Sequence, residues 1–364
     1  MSLILTINPG STSTKVAVFQ DEVVAHEISL SHSMEELKQY DDISDQKPMR
    51  EAAIQDWLKS IGIAPQDLDI IVSRGGLVRP IPTGTYEVTD LMIEDLKAGY
   101  SGIHASNLGA QIARDLAKAG GIQAYIADPV ASDEMEPVAR LSGLPEITRR
   151  SNSHYLNMKS VTRRVCKEKG FDFQKDNFII CHLGGGISVA PQQAGRVIDT
   201  NNANESGPFS PERAGSLPVG DLVKLAFSGK YTEKELLKKI IGGGGLMGYL
   251  KTNDGRNVEA MIAAGDHNAE LIFRAMGYQI AKEIGASAAV LAGDVRAVIL
   301  TGGLAYSKRL IETIREYAGF IAPFIVEPGE DEMKSLAEAG LRILRKEETA
   351  KNYDLEAKKH DQIL

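Results

Sequence analysis

The chain has 364 residues, 43% of them hydrophobic, and its 41 Lys and Arg against 49 Asp and Glu give a formal net charge of −8. Such a length can bury a substantial core and suggests about two domains. The acidic balance argues against a general nucleic-acid binder, and Cys166 and Cys181 make neither a disulfide framework nor a metal-ligand cluster. No apolar run approaches the roughly 20 residues of a membrane helix. The opening apolar stretch is shorter than the core and basic leader of a signal peptide and is interrupted by Asn-Pro-Gly. A cytoplasmic protein with neither nucleic-acid nor membrane partners is therefore expected.

In chain order, Leu3 to Ile7 is mostly apolar and runs into Asn8-Pro9-Gly10. The hydroxyl residues Ser11, Thr12, Ser13 and Thr14 follow, then Lys15 and a second apolar run, Val16 to Phe19. This pattern predicts a buried strand, a tight polar turn and a second strand. Residues 68–76, 122–128, 177–186 and 296–303 each read as a short buried strand ending in a polar or glycine-rich turn. Amphipathic helical patterns occupy 89–98, 105–119, 153–169, 231–241, 257–292 and 307–318, with a break expected between Glu259 and Ala292. The alternation predicts an α/β fold. "LILTINPGSTS" (3–13) and "FIICHLGGGIS" (178–188) share one plan of strand, turn and small residues. Two related domains are expected from this, each opening on a hairpin, with a join near 145–155. The charged tail from Lys346 predicts a solvated terminal helix with a frayed end.

Strand-turn-strand loops rich in Gly, Ser and Thr suit phosphate. Glycine lets backbone N–H groups approach an oxyanion, hydroxyls add donors, and a lysine supplies charge. "NPGSTSTK" has all of these, although a plain polar hairpin turn has the same composition. No G-x-x-x-x-G-K-[ST] occurs, and the G-x-G-x-x-G match at Gly243 to Gly248 follows a helix-like segment, so it reads as a helix-ending turn. Three glycine or hydroxyl loops after buried strands, at 8–15, 182–188 and 301–307, fit a cleft around a nucleotide's phosphates and base.

The motifs "LTINPGSTSTK" (5–15), "SRGG" (73–76), "IHASN" (103–107), "IADPV" (126–130), "RRSNSH" (149–154), "CHLGGG" (181–186), "NDGR" (253–256), "TGGL" (301–304) and "EPGEDEM" (327–333) occur in this order. Together they resemble the acetate and butyrate kinase family, in the superfamily that also contains actin and hexokinase. Pro9, Arg74-Gly75-Gly76 and the triple glycine 184–186 are more similar to the butyrate branch. The resemblance implies two related ribonuclease H-like (actin-like ATPase) α/β domains flanking a nucleotide cleft. Residues 1–150 would carry the phosphate hairpin and carboxylate site, with a C-terminal helix at about 332–364 packing back onto them, and 151–331 would bind nucleotide. The implied reaction is reversible, Mg²⁺- and ATP-dependent phosphorylation of butyrate or a branched short-chain carboxylate to an acyl phosphate, by direct in-line transfer in at least a homodimer. An acetate or propionate kinase is the alternative within this class. An actin-like ATPase switch or filament protein is the alternative outside it.

The same resemblance assigns Asn8, Ser11, Ser13 and Lys15 to the phosphate loop. It places Asp128 beside Mg²⁺ with Asn8, against the simpler reading of a turn-forming Asp before Pro129. Arg74 would hold the carboxylate, with Arg79 near enough to compete and His104 on the substrate side. His154 and His182 match two cleft histidines. The second active-site arginine has no residue in register within "ERAGSLPVGD" (212–221), which leaves Arg213 as the candidate. Gly184, Gly185 and Gly186 would line the phosphates; Asp254, Arg256, Gly302 and Gly303 would serve the base. Either Asp331 or Glu332 would link to magnesium, and both also suit the first turn of a helix. A carboxylate is ionised at neutral pH. The chemistry therefore calls for charge neutralisation and positioning rather than a general base.

Overall fold

The computed structural model describes residues 1–360, which form two compact units. Met1–Asp133 and the segment from Asp331 onward make the first; Glu134–Glu330 makes the second.

In the first unit, β1 (Leu3–Pro9), β2 (Ser13–Gln20), β3 (Val23–Ser31), β4 (Ile70–Arg74), β5 (Thr85–Glu87) and β6 (Ala124–Ala127) form one sheet ordered β3-β2-β1-β4-β6-β5. β1, β2 and β3 are an antiparallel meander, whereas β1, β4 and β6 run parallel. Parallel central strands are covered on both faces, which is why β1 and β4 are almost continuously apolar. Leu5, Ile7, Val16 and Val18 pack with Ile54 and Trp57 of the helix Lys47–Ser60 and with Leu108, Ile112 and Leu116 of the helix Asn107–Gly120. The helix Glu332–Leu344 covers β1 and β4 from the other side. It lies so close that a Cβ on Gly340 would be 2.9 Å from a Val72 methyl.

In the second unit, β7 (Phe178–Leu183), β8 (Ile187–Gln193), β9 (Arg196–Val197), β10 (Ala297–Gly302) and β11 (Phe324–Pro328) are ordered β11-β10-β7-β8-β9. β7, β8 and β9 are antiparallel neighbours, and β7, β10 and β11 are parallel. Apart from the edge strand β5, this is the strand order of the first unit. Ile179, Cys181 and Leu183 face the helices His267–Val290 and Lys308–Ala318, while Phe178 and Ile180 face the helix Tyr155–Lys169. The break expected after Glu259 falls at 264–266: Gly265 has φ +91°, and Asp266 caps the helix that follows.

The second unit begins earlier than the 145–155 stretch where the join was expected. Lys159, fully buried, pairs with Glu134 at 3.0 Å, the same carboxylate accepts from Val197 N at 2.9 Å, and Glu136 N donates to Ile198 O at 2.9 Å. A buried ion pair fixes that segment in place, since neither partner can be left alone in a low-dielectric interior. The tail also departs from the sequence reading. The helix Tyr353–His360 docks on the helix Asp90–Ala98, and Tyr353 is fully buried, its hydroxyl donating to Asp95 at 2.8 Å and accepting from Arg79 N at 3.1 Å. The frayed end expected of it lies at 361–364, outside the described residues. Among the described residues no helix is long and apolar enough to cross a membrane.

Candidate active site

Three parallel strands of the first unit deliver Asn8, Arg74 and Asp128 to the same sheet edge. Ile7 is in register with Ser73 and Arg74 with Ala127, so Asn8 and Asp128 emerge one residue beyond those pairs. Carboxyl ends of parallel strands are where α/β sheets bind ligands. Arg74 donates to Glu332 Oε1 at 3.0 Å and reaches Asn8 Oδ1 at 3.5 Å, and the Asn8 amide nitrogen donates to Glu332 Oε2. Arg79 is not free to compete, because its guanidinium grips Asp95 through two bonds of 2.7 and 2.8 Å. The two acidic candidates separate by geometry. Asp331 caps its helix by accepting from Lys334 N at 2.9 Å, while Glu332 turns to Asn8 and Arg74.

Across the hairpin Asn8 pairs with Lys15, so the two side chains share a face. Thr14, one residue along, points into the core. Gly10 N donates to Ser13 O at 2.8 Å to close the turn; Ser11 and Lys15 are exposed and Ser13 is half-buried. Asp128 is buried with φ +39°, its carboxylate accepting from Gly84 N at 2.7 Å and its own N–H donating to Gly84 O at 3.0 Å. The turn-forming role therefore occupies one of its oxygens. A non-glycine residue in the left-handed region is a local strain of the kind that collects at functional sites. Gly75 and Gly76 let neighbours in: a Cβ would lie 2.5 Å from Pro129 Cβ at the first and 2.9 Å from Asn107 Cα at the second. His104 accepts through Nδ1 from Ser106 N at 3.1 Å, which puts the neutral ring's proton on Nε2. Partial burial, and then the Arg74 charge, lower its pKa.

In the second unit the triple glycine joins β7 to β8, with Gly184 N donating to Gly186 O at 3.1 Å. Arg213 lies directly over it: a Cβ on Gly186 would sit 2.0 Å from Arg213 Nη1. Arg213 donates to Ala203 O at 2.9 Å and makes no ion pair among the described residues. Desolvation lowers its pKa and Glu212 opposes that. His154 and His182 stack with centroids 4.0 Å apart and planes 12° from parallel. Ser188 Oγ holds His154 Nδ1 at 2.9 Å, and Asn157 Oδ1 holds His182 Nδ1 at 2.8 Å. Glu330 lies 3.9 Å from His182 Nε2.

The two base motifs meet where Gly255 abuts Leu304, a Cβ there falling 2.8 Å from Leu304 Cδ2. Asp254 caps the helix Gly255–Ala263 through Arg256 N at 2.9 Å, and the exposed Arg256 side chain pairs back to it at 2.6 Å. Gly302 is required by packing: at φ +89° its Cβ would fall 2.5 Å from Leu183 O. Gly303 has nothing within 4 Å of that position and leaves backbone open to a ligand. Sequence reasoning missed Arg50, beneath the hairpin, and Asn157. The one signal for Asn157 was its place three residues after His154, one helical turn along.

The Acetokinase family model matches residues 145–317. The chain is 54% identical over 353 residues to a probable butyrate kinase 2 of Caldanaerobacter subterraneus, covering 97% of this chain and all of that one. It is 51% identical over 351 residues to butyrate kinase 2 of Clostridium acetobutylicum, covering 96% and 99%. Among solved structures, acetate kinase of Porphyromonas gingivalis superposes with a TM-score of 0.76 at 19% identity, covering 94% of this chain and 100% of that one. A propionate kinase of Francisella tularensis gives 0.74 at 17%, covering 93% and 99%. At those identities the likeness establishes the fold.

Proposed function

This chain belongs to the acetokinase family, and from that premise we propose that it moves the γ-phosphoryl group of ATP to butyrate or a branched short-chain carboxylate, reversibly, giving ADP and an acyl phosphate. The observation that carries the choice of acceptor is Arg74, a guanidinium at the edge of the phosphate hairpin with Glu332 and Asn8 to orient it. A second anion site beside a phosphate site is what an ionised acceptor needs and a neutral alcohol does not.

In this reading Arg74 holds the carboxylate, with His104 near it. Asn8, Ser11, Ser13 and Lys15 receive the transferred phosphoryl group, and Gly184, Gly185 and Gly186 the remaining phosphates. His154, His182 and Arg213 offset the charge that spreads over the phosphoryl oxygens in flight. Gly303 and the Asp254–Arg256 turn face the nucleoside. The acceptor is already ionised, so no residue need act as general base. Among the described residues no group of three His, Cys, Asp or Glu could ligate a metal. That suits Mg²⁺, which keeps much of its water and binds through one or two carboxylates and substrate phosphates. Glu332, Asn8 and Asp128 carry the kind of hard oxygens it takes, and its contribution would be charge neutralisation on the phosphates. We further propose a cytoplasmic homo-oligomer of at least two chains, which sedimentation velocity would test.

The deciding assay is hydroxylamine trapping of acyl phosphate with Mg-ATP and acetate, propionate, butyrate, isobutyrate or isovalerate. Strong hydroxamate signal with the C4 and branched acids and a weak one with acetate is expected. Signal falling steeply from C2 to C4 would make it an acetate or propionate kinase. ATP hydrolysis with no hydroxamate from any acid would sink the carboxylate kinase reading.

A further inference from the structure

Arg50, on the helix Lys47–Ser60, is fully buried. Its guanidinium donates to Gly10 O at 2.9 Å, Ser13 O at 3.1 Å, Thr14 Oγ1 at 3.0 Å and Ser11 O at 3.1 Å. Gln46 Oε1 takes two further bonds, of 2.9 and 3.3 Å. It makes no ion pair among the described residues. Burying a cation without a counter-ion is costly, so carbonyl dipoles of the hairpin supply what a carboxylate would elsewhere.

The peptide plane gives these bonds a consequence. In a trans peptide the N–H of one residue points opposite to the carbonyl of the residue before it. With the Gly10 and Ser11 carbonyls held by Arg50, the N–H groups of Ser11 and Thr12 are turned away from it. Neither makes a hydrogen bond among the described residues. Two adjacent unbonded amide donors turned away from a buried positive charge are backbone groups of the kind that bind an anion.

We infer that Arg50 is a positioning residue for nucleotide phosphate: it fastens the hairpin from beneath, aims the Ser11 and Thr12 amides outward and adds a buried charge behind them. This rests on the reading that the hairpin receives ATP phosphate. The test compares Arg50→Lys, Gln46→Leu and Lys15→Ala in steady-state assays with butyrate and Mg-ATP, with the affinities for the magnesium complex of a non-hydrolysable ATP analogue and for MgADP measured by calorimetry. Arg50→Lys keeps the charge but loses the fork. It is expected to raise the KM for ATP and the Kd for that analogue about tenfold while moving the KM for butyrate and the Kd for MgADP less than about twofold. Should Arg50→Lys not fold, Gln46→Leu, which frees the guanidinium to rotate, is expected to show the same split more weakly. A folded variant with unchanged ATP parameters, or with both substrates affected alike, overturns the positioning role. If Lys15→Ala cripples ATP use while the Arg50 and Gln46 variants do not, only that role falls. If Lys15→Ala is also silent, the phosphate-hairpin reading falls and Arg50's role with it.

Discussion

Two adjacent carboxylates, Asp331 and Glu332, do different work. Asp331 closes the first turn of its helix, and Glu332 joins Asn8 to Arg74. Glu332→Gln is expected to lower kcat/KM on the order of a hundredfold with little change in thermal midpoint, because a charge aimed at the site is lost. Asp331→Ala is expected to cost about 1 kcal/mol of stability and leave kcat near that of the parent, since an N-cap is lost. Steady-state kinetics and thermal melts on both variants check this, and the reverse pattern would exchange the two roles. In the sequence they were indistinguishable, being two acids in a helix's first turn where its dipole favours either. Arg74 was the natural candidate for the carboxylate with Arg79 near enough to compete, and the structure occupies the second with Asp95. By contrast, the residues with distinctive company, Asn8 to Lys15 and the triple glycine, could be singled out from the order of motifs alone.

At the scale of elements, the hairpin is expected to be sensitive to protonation through His32. His32 is buried with Nε2 2.9 Å from Thr14 Oγ1. Burial, then the Arg50 charge, lower its pKa, and Glu36 opposes them. The unfolded chain therefore takes up this proton as pH falls below about 6.5 while the folded chain resists, so the stability involved is complete above that pH and lost on acidification. His104, also lowered, contributes with the same sign. Thermal midpoints are expected to fall between pH 7.5 and 5.5, less steeply in His32→Gln; the same slope in both proteins would remove His32 from the account. The elements themselves were unequally legible. β1, β7 and β10 are mostly apolar runs and stand out. β3 is a largely exposed edge strand with no clean alternation. The helix Lys47–Ser60 turns Arg50 inward along with Ile54, Trp57 and Leu58, which blurs the amphipathic pattern that identifies a helix.

Over the whole molecule, the two sheets repeat one strand order, the ribonuclease H-like plan of actin-like ATPases, yet only the opening hairpins carry a visible sequence echo. The strand order depends on backbone pairing and buried faces, which many sequences satisfy, whereas a loop that binds a ligand is restricted to the residues that ligand needs. Each unit also has its own reporter. The single tryptophan, Trp57, lies in the first core, and both cysteines are buried in the second unit. Burial pushes Cys166 up to about 11, and Cys181 is raised as well, so neither is expected to react readily with a thiol reagent at pH 8 in the native protein. Because the cores are separate, urea is expected to shift tryptophan fluorescence and expose the thiols at distinguishable midpoints. Coincident transitions would show one cooperative unit instead.

The first unit is assembled from two separated stretches of chain, with Glu134–Glu330 inserted between them. On the ribosome the second unit is therefore synthesised in full, free to close, while the first still lacks the helix that covers β1 and β4. Glu332, the carboxylate that joins Asn8 and Arg74, is translated after every other residue assigned to the site. A nascent chain carries the hairpin at 8–15 long before Glu332 is added and cannot complete this cluster until the whole second unit has been made, so products interrupted within that unit lack it.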